Sequence, residues 1–136
     1  MQALKRAATF RDHRQVTEAM RRVWNRAAVE SGGPTAREGD KALAAVLQAH
    51  GYVMNGGVFH AVECLGPQRL RLCCEGYIYF GLREIATVFD AAAKAEETDE
   101  TEDAFNNAYW AHAQDDEVIV ERFERDITAH PERYAP

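Results

Sequence analysis

His60 and Cys64 are the two side chains whose types and spacing come closest to reactive chemistry in this sequence. Four residues apart on a helix, they would share one face, which suits two metal ligands or a thiol with its general base. A metal site needs further ligands, and a catalytic pair needs a third group that orients the base. The other candidate ligands are scattered without paired metal spacing: Cys73, Cys74, His50 and His112. We therefore predict a packing role here, with no catalytic residue, no metal site and no cofactor.

The turn Asn55-Gly56-Gly57 is a second candidate site. Such a turn could bind an anion, because exposed backbone N–H groups and a helix dipole both favour negative charge. It lacks the lysine of a phosphate-binding loop, and neither a strand nor a fuller glycine pattern accompanies it. The sequence therefore predicts a structural turn in which Asn55 caps a short helix carrying Phe59 and Leu65.

Charge is divided unevenly along the chain, whose formal net charge is −6. Residues 1–41 carry nine Lys/Arg and five Asp/Glu, whereas residues 42–136 carry seven and seventeen. So acidic a surface repels nucleic acid and attracts basic proteins. The densest run, residues 96–103, has no apolar side chain and predicts a solvated loop, with or without a role in recognition. Its six carboxylates are candidate partner-binding residues: Glu96, Glu97, Asp99, Glu100, Glu102 and Asp103.

A second acidic group lies in the last predicted helix. Glu117, Glu121 and Glu124 fall on one face, and carboxylates four residues apart are separated by ~6 Å along a helix axis. Such a line could substitute for backbone phosphates against a basic groove, although neighbouring arginines on the same helix would neutralise part of it. Asp115 and Asp116, which could cap this helix, complete the candidate partner-binding set.

Hydrophobic periodicity predicts helices throughout, with no sustained alternation typical of strands. Pro131 is expected to end the last helix. The pattern indicates one all-α domain over residues 1–136, an irregular bundle of about six to seven helices, and leaves the order of residues 1–12 open. The predicted helices cover residues 13–31, Asp40 to Gly51, a short segment after Asn55, 68–80 beyond Gly66-Pro67, 83–95, a segment around Phe105, and one after Asp116.

Composition sets limits on the class of protein: 46% of residues are apolar and 28% are charged, as in ordinary globular domains. No stretch approaches the ~18 apolar residues of a membrane helix, and no apolar run follows the early cations as in a signal peptide. We therefore expect a cytoplasmic protein without a membrane partner. Three cysteines, an odd number, favour a reducing compartment, and their apolar surroundings predict that all three are core residues.

Two landmarks carry a family resemblance. Asn55-Gly56-Gly57 precedes a helix that contains Phe59, and the segment from His130 to Tyr134 contains a Pro131-Glu132 element before an aromatic residue. Together they resemble the DNA-mimic-protein-like family of small bacterial helical domains. The family pattern has Phe, and Gln two places later, after Asn-Gly-Gly, where this chain has Val58 and His60; it also favours Glu at the position of Tyr52.

The resemblance implies an all-helical domain whose motif residues, including Pro131 and Tyr134, are structural. In some members it also implies an acidic surface that imitates duplex DNA toward a DNA-binding regulator. We therefore expect a non-enzymatic protein that binds a basic protein, with no direct binding of nucleic acid. The alternatives are an immunity or antitoxin protein that blocks a toxin such as a basic nuclease, and an enzyme built on His60 and Cys64. A homodimer is left open.

Overall fold

A computed structural model of the chain describes residues 17–136. Over this range the chain forms six α-helices and a closing 3-10 turn without any strand, which confirms the predicted all-α fold. The predictions for residues 1–12 and for the first turn of the first helix lie outside the described residues. The elements are α1 (Glu18–Glu30), α2 (Glu38–Gly56), α3 (Val58–Tyr79), α4 (Arg83–Lys94), α5 (Asp99–His112), α6 (Glu117–Ala129) and the 3-10 turn Pro131–Arg133.

The first described helix, α1, begins after Thr17, whose hydroxyl accepts a hydrogen bond from the Met20 N–H at 3.0 Å. Its apolar stripe buries Trp24 completely, and the indole ring lies 5.8 Å from the ring of Phe123 in α6. The helix ends where Ser31 takes a left-handed conformation (φ 55°), in agreement with the predicted end at residue 31.

The second helix, α2, is longer than predicted at both ends. Asp40 is not its N-cap: the helix begins at Glu38, and the Asp40 carboxylate accepts a hydrogen bond from the Arg37 N–H, one turn back. Gly51 does not end it, and residues 52–56 continue it. The buried face runs on from His50 to Val53, and this burial outweighs the ~1 kcal/mol that a glycine costs within a helix.

The third helix, α3, contains both of the helices predicted between Asn55 and residue 80. They are joined at Gly66, whose φ of 76° makes the kink that the following Pro67 also favours. The second half of α3 runs antiparallel to α2. Gly76 permits this contact because a Cβ there would lie 2.9 Å from the carbonyl oxygen of Ala42.

The acidic segment 96–103 is only partly a loop, which corrects the sequence prediction. Helix α5 begins at Asp99, so the acids from Asp99 to Asp103 lie in its first turns. Thr98 and Thr101 form the capping box: each side chain accepts a hydrogen bond from the other's backbone N–H, at 2.8 and 3.1 Å. Acidic residues also stabilise a helix start because they face the positive end of its dipole.

The chain end closes the fold against α1, α2 and α6. The Asp126 carboxylate of α6 accepts hydrogen bonds from the hydroxyls of Tyr79 and Tyr134, both at 2.7 Å. Burial, and then the bond to Asp126, raises the pKa of Tyr79 to about 12 and raises that of Tyr134 in the same direction, so both stay protonated donors. The Tyr134 ring packs directly on Gly39, where any side chain would overlap it.

Asp40 joins the chain end to the N-terminal half of the fold. Its side chain is fully buried, accepts a hydrogen bond from the Ala135 N–H at 2.7 Å, and lies 3.5 Å from the Arg26 guanidinium. Arg26 in turn donates to the carbonyl oxygen of Ala135 at 2.7 Å. One carboxylate therefore holds α1, the start of α2 and the C-terminal segment together.

We expect Asp40→Ala to lower the free energy of unfolding by about 3 kcal/mol, because it removes one partner of a buried ion pair and leaves backbone donors unsatisfied. Urea unfolding followed by circular dichroism would measure the change. Glu63→Ala, which removes an exposed carboxylate, is the matched control and should change stability little. Equal stability of the two variants would contradict this role of Asp40.

Candidate functional site

The six acids of residues 96–103 lie at one end of α5. Five are exposed, Glu102 is half-buried, and none forms an ion pair with another described residue. The wider segment 95–121 contains ten Asp/Glu and no Lys/Arg. We call this feature the α5 acidic surface, defined by Glu96, Glu97, Asp99, Glu100, Glu102 and Asp103. It consists of a capped helix start and the short segment that precedes it, so the backbone that carries four of the six acids is helical.

Helix α5 is held to the core mainly through Tyr109, its only buried residue. The Tyr109 hydroxyl lies 2.6 Å from Nδ1 of His50 in α2 and 2.7 Å from the hydroxyl of Tyr77 in α3. All three side chains are fully buried. Burial, with the neighbouring Tyr109, raises the pKa of Tyr77, which therefore remains protonated. The sequence placed His50 on an apolar face without revealing this polar contact between three helices.

Asn106 fixes the N-terminal half of α5 to the start of α3. Its side-chain oxygen accepts a hydrogen bond from the Val58 N–H at 2.8 Å, so a residue from another helix caps α3. Gly57 allows this approach: its φ is 93°, and a Cβ would lie 2.9 Å from that oxygen. The prediction that Asn55 is the cap is wrong, because Asn55 belongs to the last turn of α2.

Aromatic contacts also pack α5 against the rest of the fold. The buried Phe59 ring packs edge-on against Phe105 at 5.6 Å between centroids. Trp110 packs edge-on against Tyr109 at 5.4 Å and is half-buried, so part of its indole reaches the surface. Trp110 lies on the same side of the helix as two of the acids, Asp99 and Asp103. The reason is the spacing: positions 99, 103, 106 and 110 are separated by four, three and four residues.

The acids at the start of α6 form a separate group. Asp116 precedes the helix, and the Asp115 carboxylate accepts a hydrogen bond from the Glu117 N–H at 2.9 Å. Glu117 and Glu121 are exposed and Glu124 is half-buried. Asp116 and all three glutamates take part in interactions within the chain, so their charge is not all open to a partner.

The two acidic groups are not brought into one cluster at a single helix end. They flank α5, whose 14 residues span ~21 Å at 1.5 Å per residue. Arg122 does not lie between them, because its guanidinium donates hydrogen bonds to the carbonyl oxygens of Phe80 and Gly81 at 2.9 and 3.2 Å. None of the acids of the α5 acidic surface therefore forms an ion pair with a described cation.

His60 and Cys64 do share one face of α3, as predicted. The Cys64 sulfur lies 3.7 Å from each ring nitrogen of His60, and Asn55 lies 3.5 Å from Nε2 of the ring. Within residues 17–136 no third His, Cys, Asp or Glu joins them in an arrangement that could hold a metal ion.

Only part of the cysteine prediction is right. Cys73 is buried in the core and Cys74 is half-buried, but Cys64 is exposed. Burial raises the pKa of Cys73 to about 11 and also raises that of Cys74, with Asp90 contributing. A raised pKa lowers the thiolate fraction at neutral pH, and the thiolate is the reactive species.

No helix within the described part of the chain combines the length and apolar character that a membrane span requires.

We expect Asn106→Ala to lower the free energy of unfolding by about 1–2 kcal/mol, because the Val58 N–H loses its cap. Chemical unfolding would measure it. Asn107→Ala is the matched control, since Asn107 is the exposed neighbour on the same helix. A loss no larger than that of the control would show that the cap contributes nothing.

We expect one thiol per chain to react rapidly with a disulfide reagent at about pH 8, followed by two more only after denaturation. Cys64→Ser should abolish the rapid reaction and leave the two thiols that react after denaturation. Rapid reaction of two or more thiols in the folded protein would contradict the burial and raised pKa of Cys73 and Cys74.

In a comparison with known protein families, the model of a family described as DMP19-like protein matches residues 35–133. The match covers α2 to α6 and the closing turn, and therefore includes Asn55-Gly56-Gly57 and Pro131. No curated protein and no solved structure matches the chain.

Proposed function

The chain belongs to the DMP19-like protein family, and from this premise we propose that it is a non-enzymatic acidic protein that occupies the basic surface of a DNA-binding regulator. The family name refers to a DNA mimic protein, which is compatible with such a role. The observation that carries the proposal is the α5 acidic surface, in which five of six acids are exposed and none forms an ion pair with a described residue.

The spacing of the carboxylates on α5 supports the proposal that this surface takes the place of DNA on the regulator. Proteins bind duplex DNA largely through Lys and Arg that face closely spaced phosphates, one charge per ~1.7 Å of duplex axis. On α5, Asp99 and Asp103 lie one turn apart, ~6 Å along the axis, with Glu100 and Glu102 beside them. A basic surface shaped for phosphates would therefore meet several carboxylates within one or two turns.

The contacts that hold α5 in place also support the proposal. Thr98 caps the helix start, and Asn106 and Tyr109 fix the helix to α3 and α2. Charges held in place before binding cost less entropy to align than charges on a flexible loop. Electrostatic complementarity of this kind chiefly raises the rate and specificity of association.

Binding without catalysis is part of the same proposal. His60 and Cys64 would be the reactive pair, but among the described side chains no third His, Cys, Asp or Glu joins them in an arrangement that could hold a metal ion. An immunity protein that blocks a basic toxin would use similar acidic recognition. The family match favours the regulator, and the identity of the captured partner distinguishes the two.

The test is capture of proteins from the lysate of the native host, followed by elution with a short duplex DNA. We expect a DNA-binding protein to be captured and then released by the duplex, because both ligands occupy one basic surface. Glu97→Gln, Glu100→Gln and Asp103→Asn together should weaken its binding at least about tenfold. The measurement is the dissociation constant of the purified pair at low and high salt.

The matched control carries Glu63→Gln, Glu75→Gln and Glu84→Gln, which remove three exposed carboxylates from other faces and change the net charge equally. It should bind nearly as the wild type does. Equal weakening by both triple variants would indicate a nonspecific charge effect. Capture of a nuclease toxin in place of a regulator would support the immunity alternative.

A further inference from the structure

A second surface, unrelated to the α5 acidic surface, lies on the outer side of the hairpin formed by α3 and α4. The two helices enclose an open groove of about 570 Å³. Its lining extends from Pro67 to Ile78 on α3 and from Arg83 to Ala93 on α4. At 1.5 Å per residue the groove follows both axes for ~16 Å, about three helical turns.

The floor of this α3–α4 groove is apolar. Leu70 and Ala86 form its buried part and Cys74 is half-buried. Ile78 is 40% exposed, which is unusual for a large apolar side chain among the described residues. Apolar side chains thus follow the groove between polar rims, an arrangement into which the apolar face of a partner helix can pack.

The rim of the groove is cationic, unlike most of the surface. Arg71 and Arg83 are exposed, and neither forms an ion pair with a described carboxylate. The one acid in the lining, Asp90, pairs with Lys94 on its own helix at 3.2 Å. Two guanidinium groups therefore flank the apolar floor with their charge uncompensated.

We propose that the α3–α4 groove binds an acidic amphipathic helix of a partner protein. Two parallel ridges with a three-turn groove between them accept a third helix, whose apolar face enters as side chains at i, i+3, i+4 and i+7. Carboxylates on the edges of that helix would meet Arg71 and Arg83.

The openness of the groove argues against a small amphiphilic ligand. Binding pockets for small molecules cover most of the ligand surface, whereas the groove is bordered by exposed side chains on both helices, including Pro67, Thr87 and Ala93. A helix needs only one face covered. The groove between α2 and α3 is a weaker candidate because its lining holds Glu38 and Glu75 as well as Lys41 and Arg69, so its charges offset one another.

The probe is a fluorescein-labelled peptide of about 15 residues, with leucines along one helical face and glutamates on the flanks. A matched peptide carries lysine in place of each glutamate. Fluorescence anisotropy with the full chain should show the acidic peptide binding at least about tenfold more tightly than the basic one. Equal affinity, or no binding of the acidic peptide, would overturn the proposal.

Substitutions then locate the peptide. Arg71→Glu with Arg83→Glu should reverse the preference toward the basic peptide, a result that simple loss of folding cannot produce. Ile78→Asp should abolish binding, whereas Leu72→Asp, on the same helix and 47% exposed, should leave it unchanged. Circular dichroism would verify that each variant is folded.

Sedimentation of the free protein tests the alternative that the α3–α4 groove is occupied by a second copy of the chain. We expect Ile78→Asp to leave the sedimentation coefficient unchanged. A dimer that dissociates on this substitution would assign the groove to self-association and overturn the proposed partner helix.

Discussion

The position of α5 depends on the hydroxyl of Tyr109, which lies between His50 and Tyr77 in the core. A helix whose first turns are crowded with carboxylates has little apolar surface with which to pack, and α5 buries only this one residue completely. Without that contact, α5 would have only its partly buried aromatic residues and the Asn106 bond to hold it. The buried hydrogen bonds of Tyr109 with His50 and Tyr77 therefore hold a strongly acidic helix against the core.

The helical class, the range of α4 and the structural turn at Gly57 could be predicted from the sequence, because periodicity and glycine placement are local signals. The structural role of Tyr134 was implied by the family resemblance. The helix start at Asp99 was missed because six acids suggested a loop, although the capping threonines and the dipole favour a helix there. Gly51 was misread because burial of the surrounding face was not visible. Asp40, Asn106 and Tyr109 make their decisive contacts with residues far along the chain, which no local pattern encodes.

The proposed binding of a basic partner depends on how charge is distributed over the described surface. The bonds of Arg26 and Arg122 to backbone carbonyls use those cations within the fold, so they do not neutralise the acids around α5. The acids at α6 already have interactions within the chain. We therefore propose residues 96–103, and not the acids at α6, as the surface that recognises a basic partner. Arg71 and Arg83, two exposed arginines beside the apolar α3–α4 groove, give the molecule a second face of opposite character.

Hydrogen exchange of the protein, free and bound to the DNA-binding protein captured from its host, tests the central claim most directly. If the α5 acidic surface binds the partner, we expect slower exchange in the complex for the backbone of residues 96–106, with the exchange of residues 67–93 unchanged. Slower exchange confined to residues 67–93, or to α1 and the chain end, with residues 96–106 unaffected, would contradict recognition through the α5 acidic surface.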